Sequence, residues 1–106
     1  MVERWWEDER WAVYLFPHVI LIRAFLERRL TAVEFEVLFL AAFKAEGPRR
    51  PPEIFNVLER IFFDVDDFCP DEELRERAGG IDERELRARV EAAQERLAEV
   101  ATERRP

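Results

Sequence analysis

Apolar residues recur every three or four positions along four stretches of the chain. Each recurrence predicts the buried stripe of an amphipathic helix. Val19, Ile22, Leu26 and Leu30 make the first stripe, and Phe35, Leu38, Phe39 and Ala42 the second. Ile54, Val57, Leu58, Ile61, Phe62 and Val65 make the third, while Leu86, Val90, Ala93, Leu97 and Val100 trace a narrower fourth. Start and stop signals bracket these stripes. Pro17 disfavours helix at Phe16 but suits a first helical position, which places the first helix from Pro17 to about Arg29. Thr31 with Glu34 forms a capping box, in which hydroxyl and carboxylate serve N–H groups left unpaired at a helix start. The second helix runs from there to near Glu46, where Gly47 and Pro48 stop it. The third extends from Pro52 to about Phe63. A short helical turn starting near Pro70, with Leu74 as its one apolar anchor, ends at Gly79 and Gly80. Asp82 with Glu85 makes another box, and the fourth helix continues to near Thr102. No stretch alternates strictly and the connections are short. The predicted fold is therefore all-α, an antiparallel four-helix bundle over residues 17–104 of a single domain spanning 1–106.

Residues 1–16 follow neither period: Trp5, Trp6, Trp11, Val13, Leu15 and Phe16 are spaced for no clean face. This Trp-rich N-terminal extension has three readings: an added turn or strand packed on the bundle, an aromatic patch for a partner, or a loose arm. Burial is the commoner use of tryptophan, and binding hot spots are the more specific one.

At 106 residues, 48% apolar and 39% charged, the chain can bury one modest core, and with no Ser and 3 Gly it lacks the composition of a flexible disordered chain. Cys69 is the sole cysteine, so no intrachain disulfide can form and nothing calls for an oxidising compartment; the cytoplasm is the default. The apolar run Trp11–Ile22 is shorter than the roughly 20 residues of a membrane span. It is broken by Pro17 and His18, and Glu7, Asp8 and Glu9 precede it where a signal peptide carries basic residues. Neither a signal peptide nor a transmembrane helix is expected.

Charge is distributed unevenly. Between Glu53 and Glu76 lie nine acidic and two basic side chains, which account for the whole net charge of −7. Residues 1–52 hold eight of each sign and residues 77–106 seven of each, so the anionic field is local. The chemistry that would make an enzyme is missing from the pattern. There is no serine nucleophile, Cys69 has no elbow or Gly-rich context, and one His with one Cys cannot form a zinc tetrad. Asp64, Asp66 and Asp67 open like a calcium loop, but Phe68 takes the third oxygen position and no glycine follows at the turn. Gly79–Gly80 is not followed by the Lys-Ser/Thr of a phosphate loop. Arg49–Arg50 is the notable basic cluster, and the dominant field repels phosphate. No catalytic residue, metal, cofactor, nucleic-acid or membrane contact is expected.

The acidic segment itself has two readings. In one, its carboxylates are solvated and close local turns. In the other, they form a surface complementary to a cationic cleft, with the interleaved Phe63 and Phe68 standing in for stacked bases among mimicked phosphates.

The order of motifs bears on that choice. A-F-L-E-R-R-L-T-A-V-E-F-E-V-L-F-L-A-A-F-K begins at Ala24, E-I-F-N-V-L-E-R-I-F-F-D-V-D-D-F at Glu53, P-D-E-E-L-R at Pro70 and I-D-E-R-E-L-R at Ile81. Together, over roughly His18–Leu97, they resemble the colicin D immunity proteins, bacterial self-protective colicin-like immunity proteins. The resemblance implies a small four-helix protein, not an enzyme, that binds the basic C-terminal nuclease domain of a tRNA-cleaving toxin and covers its active site with acidic groups. The acids standing in the matching motifs are Asp64, Asp66, Asp67, Asp71, Glu72, Glu73 and Glu76. With Phe63 and Phe68 they form the expected toxin-binding set. The Trp-rich prefix and the bias of sixteen Arg against one Lys depart from the family pattern. A different class of function, a helical adaptor or regulatory subunit docking through its fourth helix and Trp patch, would leave the acids merely solvated.

Overall fold

Phe35 and Phe39 lie one helical turn apart, and both are fully buried. Phe35 stacks on Phe25 with ring centroids 4.5 Å apart, and Phe39 meets His18 edge-on at 5.6 Å. These contacts join the first two helices of an all-helical chain. The computed structural model describes residues 9–45 and 52–103, with side chains for 17–45 and 53–100. Among the described residues there are five helices and no strand: α1 (Glu9–Leu26), α2 (Ala32–Ala45), α3 (Pro52–Asp67), α4 (Glu72–Ala78) and α5 (Glu83–Glu103). α1 packs on α2 and α5, and α3 packs on α2 and α5, so each of the four long helices has two neighbours. One core runs between them, from Val19, Ile22 and Phe25 through Ile54, Leu58 and Ile61 to Leu86, Val90 and Leu97. No described helix is long and apolar enough to cross a membrane.

Several boundaries differ from the sequence reading. Pro17 lies inside α1, eight residues after its start at Glu9. A proline costs a helix interior roughly 3 kcal/mol, a local preference that packing of the whole helix can override. The segment 9–16 is thus helical, whereas Trp5, Trp6 and the stop at Gly47 and Pro48 lie outside the described residues. α1 also ends before Arg29, at Leu26. The Arg29 and Leu30 amides both donate back to the Ala24 carbonyl, at 2.8 and 3.2 Å, while Arg28 takes a left-handed φ of 62°. That conformation normally favours glycine. Arg87 of α5 covers the same end, donating to the Phe25 carbonyl with its guanidinium 4.2 Å over the Phe25 ring.

The Thr31–Glu34 box forms in full. The Thr31 amide donates to Glu34 Oε1 at 2.8 Å and the Glu34 amide to Thr31 Oγ1 at 3.1 Å. These bonds to Thr31, the backbone one first, hold the Glu34 carboxyl below its usual 4.5. Leu38, expected inward, is 43% exposed, because Phe35 and Phe39 define the buried line and Leu38 stands about 100° away from Phe39 around the helix. Val33 and Val37 are exposed as well, so α2 is apolar on its outer side too. The α5 stripe of Leu86, Val90, Ala93, Leu97 and Val100 is buried throughout.

Two outcomes test these placements. Phe35→Ala should cost about 3–5 kcal/mol and Ile61→Ala about 2–5 kcal/mol in urea unfolding, whereas Leu38→Ala should stay within about 0.5 kcal/mol. The lowered Glu34 carboxyl stabilises the fold above the ordinary value of 4.5, and that stability is lost as pH falls through the lower folded-state value. Wild-type urea midpoints measured from about pH 6 to about pH 3 should therefore decline more steeply than those of Glu34→Gln.

Candidate functional site

The third helix continues one turn past Phe63, and that turn sorts the acidic run by direction. Asp64 follows Ile61 by three positions and precedes Val65, which places it on the inward edge of α3. It is 4% exposed. Phe63 points the other way and is 55% exposed; Asp66 and Asp67, three and four residues on, are exposed beside it. Asp66 and Asp67 are thus helical rather than part of a loop. The signal was present in the sequence, since Val65 carries the third stripe one turn beyond Phe63.

A buried carboxylate requires a partner, and Asp64 has Arg89 of α5, whose Nη1 donates to Asp64 Oδ1 at 3.2 Å. The same Nη1 lies 3.9 Å from Asp67 Oδ2, and Nε donates to Glu85 at 3.1 Å. Hydrogen bonds to Glu85 and then to Asp64 hold the Arg89 guanidinium charged beyond its ordinary range. On sequence alone, Glu85 and Arg89 form an exposed i,i+4 pair worth about 0.2–0.5 kcal/mol. The contact with Asp64 spans 25 residues and no local spacing reveals it.

The remaining acids sit on an excursion held largely through its backbone. The Cys69 amide donates to the Ile81 carbonyl at 2.9 Å and the Ile81 amide to the Asp67 carbonyl at 2.8 Å, a single parallel bridge centred on Phe68 and Ile81. Phe68 is 7% exposed and belongs to the core, so it fastens the excursion from inside. α4 buries no residue. Its expected anchor, Leu74, is 51% exposed: in so short a helix the bridge and the ends do the holding. Asp71 caps it, accepting from the Leu74 amide at 3.1 Å, and Arg75 donates to the Cys69 carbonyl at 2.7 Å. Glu72, Glu73 and Glu76 are exposed, with Glu73 paired to Arg77 at 2.7 Å across open solvent. Asp82 caps α5 through the Glu85 amide at 2.8 Å, half of the expected box, because the Glu85 carboxylate turns to Arg89.

The structure therefore brings Phe63, Asp66, Asp67, Asp71, Glu72, Glu73 and Glu76 to the surface of one continuous segment, with Asp64 and Phe68 beneath it. Cys69 is half-buried with its Sγ 3.5 Å from the Asp71 carbonyl, and His18 lies in the core of α1. Among the described residues no three His, Cys, Asp or Glu side chains converge as metal ligands.

Gly80 is the tightest point of the bridge. Its φ is +111°, and a Cβ there would stand 2.8 Å from the Asp67 carbonyl oxygen. Gly79, with φ +85°, has open space around it. Gly80→Ala should destabilise the protein by about 1–3 kcal/mol in urea unfolding and by more than Gly79→Ala, which carries only the backbone strain of about 1 kcal/mol.

No curated protein and no solved structure is significantly similar to the chain. A family model does match, over residues 15–97, from the middle of α1 to near the end of α5 and across the whole acidic segment. Its description is bacterial self-protective colicin-like immunity, a function in which a producing cell is shielded from its own toxin. With most of its length matched, this chain belongs to the colicin-like immunity family and is a toxin-inhibiting immunity protein.

Proposed function

We propose that the toxin is a nuclease, a tRNA-cleaving bacteriocin or contact-dependent toxin domain of the colicin D kind, and that this chain covers its cationic active-site cleft. In this reading the four long helices are an antiparallel bundle that acts as scaffold, working in the cytoplasm of the producing cell and catalysing nothing itself. Asp66, Asp67, Asp71, Glu72, Glu73 and Glu76 meet the cationic groups that normally hold phosphate, and Phe63 occupies a base position. Asp64 and Phe68 hold that face from behind.

The observation that carries the proposal is the confinement of the entire net charge of −7 to Glu53–Glu76, in a protein otherwise balanced in sign. Such a field attracts a basic partner and orients it during encounter. Solvation alone gives no reason to hold the exposed acids on a backbone bridge and a capped helix.

The test is complex formation with the C-terminal domain of the toxin encoded beside this chain. Co-expression should restore growth and stop tRNA cleavage in lysate, and the two proteins should co-purify. Glu72→Lys and Glu76→Lys should slow association about tenfold or more at low salt, with the loss shrinking as salt rises. Glu91→Lys and Glu95→Lys make the same charge change on the exposed side of α5 and should keep affinity within about tenfold. Equal losses from both pairs would show that total charge alone matters. Rescue of growth without a physical complex would remove direct occlusion.

A further inference from the structure

Three carboxylates converge on Arg89, and they differ in what they can do without it. The Asp64 side chain is 5% exposed, so the guanidinium replaces the water it has lost. Glu85 lies one turn back on the same helix and keeps the guanidinium aligned at 3.1 Å. Asp67 is 59% exposed and reaches Arg89 at only 3.9 Å. Asp64 and Asp67 bracket the last turn of α3, and the Asp67 carbonyl accepts the Ile81 amide that holds the α4 excursion.

We infer that Arg89 is a positioning residue for the acidic face. By holding Asp64 on α5 it fixes the last turn of α3, and through that turn it sets where Asp66 and Asp67 are presented and where the Phe68–Ile81 bridge begins. This inference rests on the reading of that face as the toxin-binding surface. Without Arg89, the buried carboxylate loses the group that replaces its water, the turn that carries it rotates or frays to rehydrate it, and the exposed acids move with it.

Positioning and simple charge predict opposite signs. Removing a positive charge from a face that attracts a basic partner strengthens the long-range field, so charge alone makes Arg89→Gln bind faster and more tightly. Positioning makes it bind more weakly. Arg84→Gln supplies the comparison, since Arg84 is exposed on the same helix and makes none of these three contacts. Arg89→Lys holds the net charge constant, but a point-like ammonium cannot serve three carboxylates as the planar guanidinium does.

The experiment has two arms on the full-length protein. Against the toxin domain encoded beside this chain, Arg84→Gln should bind as tightly as wild type or more so. Arg89→Gln and Arg89→Lys should dissociate about tenfold faster or more. Without any partner, amide hydrogen exchange at Phe68, Cys69 and Ile81 should quicken about tenfold or more in Arg89→Gln, while amides in the middle of α2 keep their protection. Should Arg89→Gln fail to fold, Arg89→Lys and the neutral pair Asp64→Asn with Arg89→Gln carry both measurements. Unchanged exchange at those three amides, or Arg89→Gln binding as tightly as Arg84→Gln, overturns the inference. A wild-type chain that ignores the toxin domain, with exchange still quickened in Arg89→Gln, overturns the nuclease reading instead and leaves Arg89 as the holder of the turn.

Discussion

The contact between Asp64 and Arg89 joins α3 to α5, and it is made where the protein can least leave a charge alone. A carboxylate that is 5% exposed has lost most of its hydration, and the guanidinium that holds it replaces part of what was lost. Arg89 is 39% exposed, so its own desolvation is partial. The asymmetry is useful. The acid is committed to the interior while the base stays at the surface, where it can also meet Glu85 and Asp67. The pair therefore fixes the rotation of α3 about its axis, a setting that the apolar side chains Ile61 and Val65 specify less sharply because hydrophobic contact is not directional.

That rotation decides which acids the solvent sees. With Asp64 turned inward, Phe63 and Asp67 are turned outward, and the chain leaves α3 at Phe68 in the direction that the parallel bridge to Ile81 requires. α4 then needs no core of its own. Its seven residues are too few for a stable isolated helix, yet Asp71 at one end, Gly79 at the other and Arg75 across the base satisfy its ends and its approach. In the proposed complex the backbone of this face is held in place beforehand, so the ordering cost of association falls on its exposed side chains.

Much of this was legible in the sequence, for identifiable reasons. The capping box at Thr31, the Asp82 half of the second box and the stripes of α3 and α5 are local patterns that survive into the fold. The start of α1 was not legible, because Pro17 marks helix starts more often than helix middles, and propensity is a weak prior that tertiary context overrides. The expected stripe of Phe35, Leu38, Phe39 and Ala42 holds at Phe35 and Phe39 and fails at Leu38, because α2 is apolar around most of its circumference and spacing alone does not single out its inner line. Within the acidic segment, the concentration of charge was visible but its division was not. Asp64 and Asp66 are two letters apart and face nearly opposite ways once α3 extends to Asp67, and Arg89, which makes the difference matter, lies 25 residues away from Asp64.

The exposed Phe63 completes the logic of that face. Phe63 meets Phe62 edge-on at 5.6 Å on one side and leaves the other side in water, 55% exposed, beside the exposed Asp66 and Asp67. Charge acts over about 8–10 Å at physiological salt, so it governs how quickly and in what orientation a basic partner arrives. Apolar contact acts only when water has left, and burying the half of the Phe63 side chain still in water contributes about 1 kcal/mol to holding the partner once it is there. In the proposed complex the two tasks fall to adjacent positions on one helical turn, the carboxylates setting the encounter and the phenyl ring its duration. The turn that carries all three is the turn that Asp64 locks to α5.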